Sequence, residues 1–459
     1  MNKTCRNFIA LAALSGISTI GQASTLEEIY QQALLNDHTF KVAQANREAG
    51  KESAKLGLAG LLPSVNAQAG WTDSSSDLTT TTNDNLAPIN SESNGTNSGY
   101  SITLNQPLFD MAVWYSYQQA KDVTDIAEAQ FRVAEQDIIL RSAQGYFAAL
   151  QAVDNLESAK AEENALSHQL EQTRQRFEVG LTAITEVHEA QAVFDSATAE
   201  RLITEGRLAI AFEALEVITG RPHFQLSPLK KDLTVSPPIP AERNAWVDMA
   251  MEKNYNLKIA SLSAASAKNV SKAAKSQHLP TLVGSYSYSD YSNESDPNTG
   301  LITTTDTQGQ SIGVTLSVPI FNGGGVSAAR RRAAQDFIAA REQLSQSQRD
   351  VVQATRSIYL TVTTSVATVK ARSQAITSNQ SALEATQAGY DVGTRDLVDV
   401  LNAQRNLYRA QRDYFDALYS YVLSTLQLKQ VAGALSPVDV TELNGWLDTS
   451  KKVSRNQID

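Results

Sequence analysis

Cysteine is all but missing from this chain of 459 residues, where Cys5 stands alone. That excludes a disulfide framework and a thiolate zinc site. Histidine is nearly as scarce, with five scattered residues that leave little for imidazole chemistry. Positive charge is in deficit, with 39 Lys and Arg against 49 Asp and Glu. The formal net charge of −10 has the wrong sign for a nucleic-acid binder. No His-Glu-x-x-His, no phosphate-cradling Gly-x-x-x-x-Gly-Lys-Ser/Thr and no cysteine nucleophile marks an enzyme. The chain therefore reads as a non-enzyme without cofactor, metal or nucleotide, and any energy for its work must come from a partner. Gly323-Gly-Gly325 lacks dinucleotide-loop spacing and stands where a strand meets a long helix, easing a bend. His168 and His188 flank a turn at Gly180 as solvated or interfacial residues.

What is present begins with a leader. Lys3 and Arg6, an apolar run from Phe8 to Ile20 and Gly21-Gln22-Ala23 predict a secretory signal peptide over 1–23. The run is too short for a spanning helix, which needs about 20 residues. Cleavage after Ala23 removes Cys5, and with it any lipid-attachment site. It leaves 37 basic against 49 acidic residues, a net charge of −12. No later segment is long and apolar enough to span a bilayer as a helix.

All 12 prolines fall outside 108–221 and 320–436, the two stretches that predict long helices. These stretches correspond. Phe177-Glu-Val-Gly180 aligns with Tyr390-Asp-Val-Gly393, Gln106-Pro-Leu-Phe109 with Val318-Pro-Ile-Phe321, and Leu62-Pro63 with Leu279-Pro280. The chain thus reads as an internal duplication, 24–240 followed by 241–459, forming one continuous protomer.

Each half holds two segments of period two. Val65, Ala67, Ala69 and Trp71, then Tyr100, Ile102 and Leu104, alternate with small polar residues. Leu282, Tyr286 and Tyr288, then Ile312, Val314, Leu316 and Val318, repeat the pattern. Such strands, about 10 residues each, suit a tilted membrane crossing, with Trp71, Tyr100, Tyr286, Tyr288 and Tyr291 near the interfaces. The linking segments 74–98 and 292–308 read as long solvated loops. Four strands cannot close a barrel, and lipid does not tolerate open edges, so copies must pool their strands. Two copies would give eight and three would give twelve; the pattern does not choose.

Large residues recur every seven positions in 395–432 (Val400, Leu407, Tyr414, Tyr421, Leu428). The first half echoes them with Val187, Phe194, Leu208 and Leu215, and Arg201 interrupts the row. A row of small residues from Ala333 to Gly389 predicts close helix approach. Phe109 to Glu178 makes about 105 Å of helix, and 182–219 and 245–278 each make about half of that. The mature N-terminus, 25–61, supplies a further ascending helix. Helices stacked under a β-barrel use every segment.

The string Tyr390-Asp-Val-Gly-Thr-Arg-Asp-Leu-Val-Asp-Val-Leu-Asn402, together with Gln172-Thr-Arg-Gln-Arg-Phe-Glu-Val-Gly180 and Ala183-Ile-Thr-Glu-Val187, resembles the TolC-type outer-membrane efflux proteins. The resemblance implies a mixed α and β fold. Long coiled-coil-like helices would form an α-helical barrel joined to a trimeric 12-stranded transmembrane β-barrel, four strands per protomer. It implies a homotrimer in outer-membrane lipids, reaching far into the periplasm. A periplasmic adaptor and an inner-membrane efflux pump or ABC exporter would be its partners in drug efflux or type I secretion. The missing lipid-attachment cysteine fits the non-lipoprotein branch. The resemblance also places a periplasmic gate at Thr185, Glu186, Tyr390 and Arg395, with Gln169 as neighbour. The helix-turn tips would be Gly180 and Gly393. Asp399 would line the narrowest ring, where relatives carry a second acidic ring at the position of Asn402. A secreted coiled-coil protein and a passive porin are the rival readings.

Overall fold

The computed structural model describes residues 23–80, 89–230, 233–296 and 301–455. The expected leader lies outside these residues, except for Ala23 at its end. In chain order the elements are α1 (Leu26–Asn36), α2 (His38–Ala59), β1 (Ser64–Thr80), β2 (Ile89–Phe109), α3 (Met111–Glu178) and α4 (Ile184–Thr219). Then follow β3 (Gln225–Leu226), α5 (Arg243–Lys253), α6 (Tyr255–Ser276), β4 (Thr281–Asp296) and β5 (Thr303–Ser317). The last are α7 (Gly325–Asp391), α8 (Leu397–Val431), α9 (Pro437–Asn444) and β6 (Val453–Ser454). Helices α3 and α7 run 68 and 67 residues, and their returning partners α4 and α8 run 36 and 35. The chain divides into two compact units. Among the described residues one comprises 23–42, 133–254 and 350–455, and the other lies within 43–132 and 255–349.

The second unit holds an antiparallel sheet of four strands in the order β1-β2-β4-β5. Residues opposite one another in such a ladder share a face. Ala67 faces Ile102, Ile102 faces Tyr288, Tyr286 faces Ile312 and Leu282 faces Leu316, so the alternating residues of all four strands merge into one apolar surface. Gln68, Ser101 and Ser289 line up on the other side. The apolar surface is uncovered, with Ile312 87% and Trp71 68% exposed. The outer edges of β1 and β5 have no strand beside them among the described residues.

Two expectations about the strands need correction. They are 17, 21, 16 and 15 residues long, and pairing continues through most of the segments read as loops, from Ser74↔Gly95 to Thr80↔Ile89 and from Ser292↔Asp306 to Ser295↔Thr303. Their Ser, Thr and Asn residues suit strands wetted on both faces, and the backbone ladder supplies the hydrogen bonds. Tyr291 does not belong with the other aromatics. It lies opposite Gly99 on the polar face, where a Cβ on Gly99 would stand 2.3 Å from the Tyr291 ring. The string Gly309-Gln-Ser-Ile-Gly313 has the spacing of a nucleophile elbow, but it lies within β5, where Ser311 bonds Ser287 at 2.9 Å. A nucleophile elbow needs a strand-to-helix turn.

In the first unit the seven-residue rows are core. Val400, Leu407, Tyr421 and Leu428 are buried, Tyr414 half-buried. Arg201 interrupts the first-half row because it pairs with Glu163 of α3 at 2.7 Å and with Glu205 at 2.8 Å. The small row of α7 is buried at Ala333 and half-buried at Ala340, Ser347, Ala354, Thr368, Ala375 and Gly389, with only Thr361 and Ala382 exposed; beside it Val351, Thr355, Val362, Val366 and Val369 are buried. The β-branched row offers more apolar area to the neighbouring helices.

The stretches 25–61 and 245–278 are not single helices. Each breaks at one extended residue, Asp37 (φ −63°, ψ 118°) and Asn254 (φ −65°, ψ 121°). Asp37 accepts the Phe40 N–H at 2.6 Å and both terminal nitrogens of Arg141, at 2.8 and 3.0 Å. Asn254 donates its amide to the Val431 carbonyl at 2.8 Å. The C-terminal segment adds α9, opened by a reciprocal Ser436–Asp439 cap, and β6, which pairs with β3 near the end of the first repeat.

Candidate functional site

The expected site falls at the two helix-turn tips, both within the first unit. Each long helix ends on a glycine in the left-handed region, Gly180 at φ +79° and Gly393 at φ +77°. In each, the following amide reaches back five residues, Leu181 to the Arg176 carbonyl and Thr394 to the Gly389 carbonyl, both at 2.8 Å. This closure satisfies orphan carbonyls and reverses the chain in a few residues. Beneath the turns α3, α4, α7 and α8 share a core that includes Leu166, Leu170, Ala190, Tyr390, Leu397 and Val400.

Tyr390 is the centre of the polar arrangement. Its ring is 5% exposed, and its hydroxyl donates to Glu186 Oε2 at 3.4 Å, linking α7 to the first turn of α4. The Arg176 guanidinium lies 4.6 Å from the ring centroid, bringing in the last turn of α3. Burial raises the Tyr390 phenol above its ordinary value, Arg176 opposes the shift, and Glu186 adds to it. The phenol therefore stays a neutral donor at physiological pH.

Arg395, in the turn just before α8, pairs with Asp399 in the first turn of that helix, at 3.3 Å. The bond drawn between adjacent coils in this chain is thus Tyr390 to Glu186. Both side chains are exposed, and the tight turn before α8 keeps the local ion pair within reach. The Arg395 stem also lies over Gly389, where an added Cβ would meet its Cγ at 2.8 Å. Thr185 and Asn402 are exposed. Gln169 is buried, and its side-chain Nε2 has no hydrogen-bond partner. Sequence reasoning missed Arg176. Its one local signal was a cation four residues before the turn glycine.

No helix among the described residues is long and apolar enough to cross a membrane, and no cluster of potential metal ligands occurs among them. Long paired helices joined to a sheet with a bare apolar face are the parts of an outer-membrane channel. The family model for outer membrane efflux proteins matches residues 29–221 and again 246–434, and the chain belongs to that family. It is 37% identical to outer membrane protein TolC of Vibrio cholerae serotype O1, over 98% of this chain and all of that protein. It is 29% identical to the proteases secretion protein PrtF of Dickeya chrysanthemi, over 97% of this chain and 96% of that one. The crystal structure of the Campylobacter jejuni CmeC outer membrane channel superposes with a TM-score of 0.73, at 16% identity over 98% of both chains. The chain is an outer-membrane exit duct with the fold of these channels, of the kind that serves efflux and type I secretion. The filament and passive-porin readings fall away.

Proposed function

We propose that three copies pool their sheets into one 12-stranded barrel, and that the helix-turn tips form a gate opened by a docked periplasmic adaptor. An inner-membrane efflux pump or ABC exporter supplies the energy. The observation that carries this reading is the four-stranded sheet with an apolar face and two unpaired edges, which lipid tolerates only when other copies complete the ring. A detergent-resistant trimer on unheated gels is expected; a purified monomer that passes no ions would refute it.

At the tips, the Tyr390–Glu186 bond and the Arg395–Asp399 pair are the breakable contacts of the resting state. An ion pair this exposed is weak singly. Repeated around a narrow ring, such pairs act together. Arg395→Ser is expected to raise single-channel conductance in planar bilayers several-fold, and an unchanged value would remove Arg395 from the gate. Asp399 is the acidic constriction, and three such carboxylates in a narrow mouth favour cations. Asp399→Ala is expected to lower cation selectivity, read as a shift of reversal potential toward zero. With Asn402 in place of a second acidic ring, block by multivalent cations should be weak.

A further inference from the structure

The helix ends adjoining the sheet differ in charge between the two halves. The last 12 residues of α2 and the first 12 of α3 hold Lys51, Lys55 and Lys121 against Glu48, Glu52 and Asp122. The matching stretches of the second half, 265–276 and 325–336, hold Lys268, Lys272, Lys275, Arg330, Arg331 and Arg332 against Asp336 alone. In a chain of net charge −10, this is a local concentration of cations. The three arginines are exposed, and the one close carboxylate, Asp336, is a loose 3.9 Å from Arg332.

Aromatic side chains stand at the same level. Trp114, 44% exposed, and Tyr117 sit edge to face at 6.0 Å in the first two turns of α3. Lys272 lies over the Tyr115 ring at 5.2 Å. Between sheet and arginines come Ile320 and Phe321, 94% and 82% exposed. Going down the second unit, a bare apolar strand surface thus gives way to exposed apolar and aromatic groups, and then to cations within about 20 Å of helix. This is the profile of a membrane boundary: hydrocarbon, then headgroup-level rings, then long cationic side chains beside phosphate.

We propose that the basic ends of α6 and α7 bind anionic phospholipid headgroups of the inner leaflet of the outer membrane and anchor the duct at that depth. The inference rests on the outer-membrane reading above. Continuity with the lipid-facing sheet and opposite charge identify the occupant. Guanidinium groups suit phosphate because they donate in a planar fork, and the residues lie within about a Debye length of the headgroups.

The test uses the mature full chain in phosphatidylcholine vesicles, with trace spin-labelled phosphatidylglycerol or spin-labelled phosphatidylcholine as probe. The wild-type protein is expected to immobilise phosphatidylglycerol with a preference of about fivefold, as near-surface cations do on anionic membranes. Molar salt should abolish the preference. It should also fall toward one in the variant R330Q/R331Q/R332Q/K268Q/K272Q/K275Q and persist in R330K/R331K/R332K. Glutamine keeps helix propensity, and an oligomer on unheated gels confirms assembly. An equal preference in the glutamine variant, a preference that survives molar salt in the wild type, or none in the wild type would each overturn the proposal while leaving the duct intact. A chain that never inserts would overturn both.

Discussion

The two helix breaks occupy matching positions of the two halves and are held differently. At Asp37 the work is divided. Asn36 donates to the Thr219 carbonyl at the end of α4 at 2.8 Å, while Asp37 caps α2 and grips Arg141. At Asn254 the side-chain amide donates to the Val431 carbonyl at the end of α8, at 2.8 Å. The register puts Gln353 and Ala354 where an arginine matching Arg141 would stand, so the counterpart of Arg141 is uncharged. The second break is held by close backbone contact instead. A Cβ on Gly433 would lie 2.3 Å from the Lys253 carbonyl oxygen, whereas one on Gly220 would meet only the Asn36 side chain, at 3.1 Å. The same kink can thus be fixed by an ion pair or by contact so close that only glycine fits.

The sharpest way to break this comparison is to fill the two glycines. Gly433→Ala adds left-handed strain to a backbone collision and is expected to cost about 4 kcal/mol, or to prevent assembly. Gly220→Ala keeps only the strain and a movable neighbour, and should cost about 1 kcal/mol. Unfolding followed by tryptophan fluorescence separates them, and equal losses would erase the distinction.

Asp37→Ala comes next, at about 3 kcal/mol, because Arg141 loses a buried partner and keeps only Asp137. The Arg141 hydrogen bonds hold the Asp37 carboxyl below its ordinary 3.8. Its contribution is therefore complete above that value and is lost as pH falls through the lowered one. Asp37→Asn should flatten the acid limb of the stability profile, while Asn254 variants leave it unchanged.

The smallest effects are at the tips. Helix α8 opens on Asp396, whose side chain accepts the Asp399 N–H at 2.9 Å, whereas α4 opens on Ala183 with no side-chain cap. Asp396→Ala should cost about 1 kcal/mol, and Ala183→Asp should gain somewhat less. If the second tip needs its own cap because it carries the constriction, only Asp396→Ala will also raise open-channel noise in planar bilayers.

Much of this was legible in the residues. Proline-free stretches bounded the four main helices, the turn glycines marked the tips, and alternation gave the apolar sheet face. The breaks at Asp37 and Asn254 were not legible, because neither glycine nor proline stands there and helical periodicity runs on across them. What bends the chain is Arg141 or Val431, residues distant in sequence. Likewise Ser and Thr tracts such as 74–80 carry the composition of loops, and only a partner strand makes them strands. Arg176 was hidden because a cation acquires a meaning only when a ring is folded beneath it.

The hairpin of β1 and β2 keeps one unbroken register from Ser64↔Asn105 to Thr80↔Ile89. Adding a single amino acid to β1 ahead of Trp71 would turn every later side chain of that strand over, carrying Trp71 from the apolar face to the polar one. Tags with an odd number of residues placed ahead of Trp71 should therefore stop the duct from maturing, however small and polar they are, whereas the wetted stretch beyond Ser74 should tolerate them.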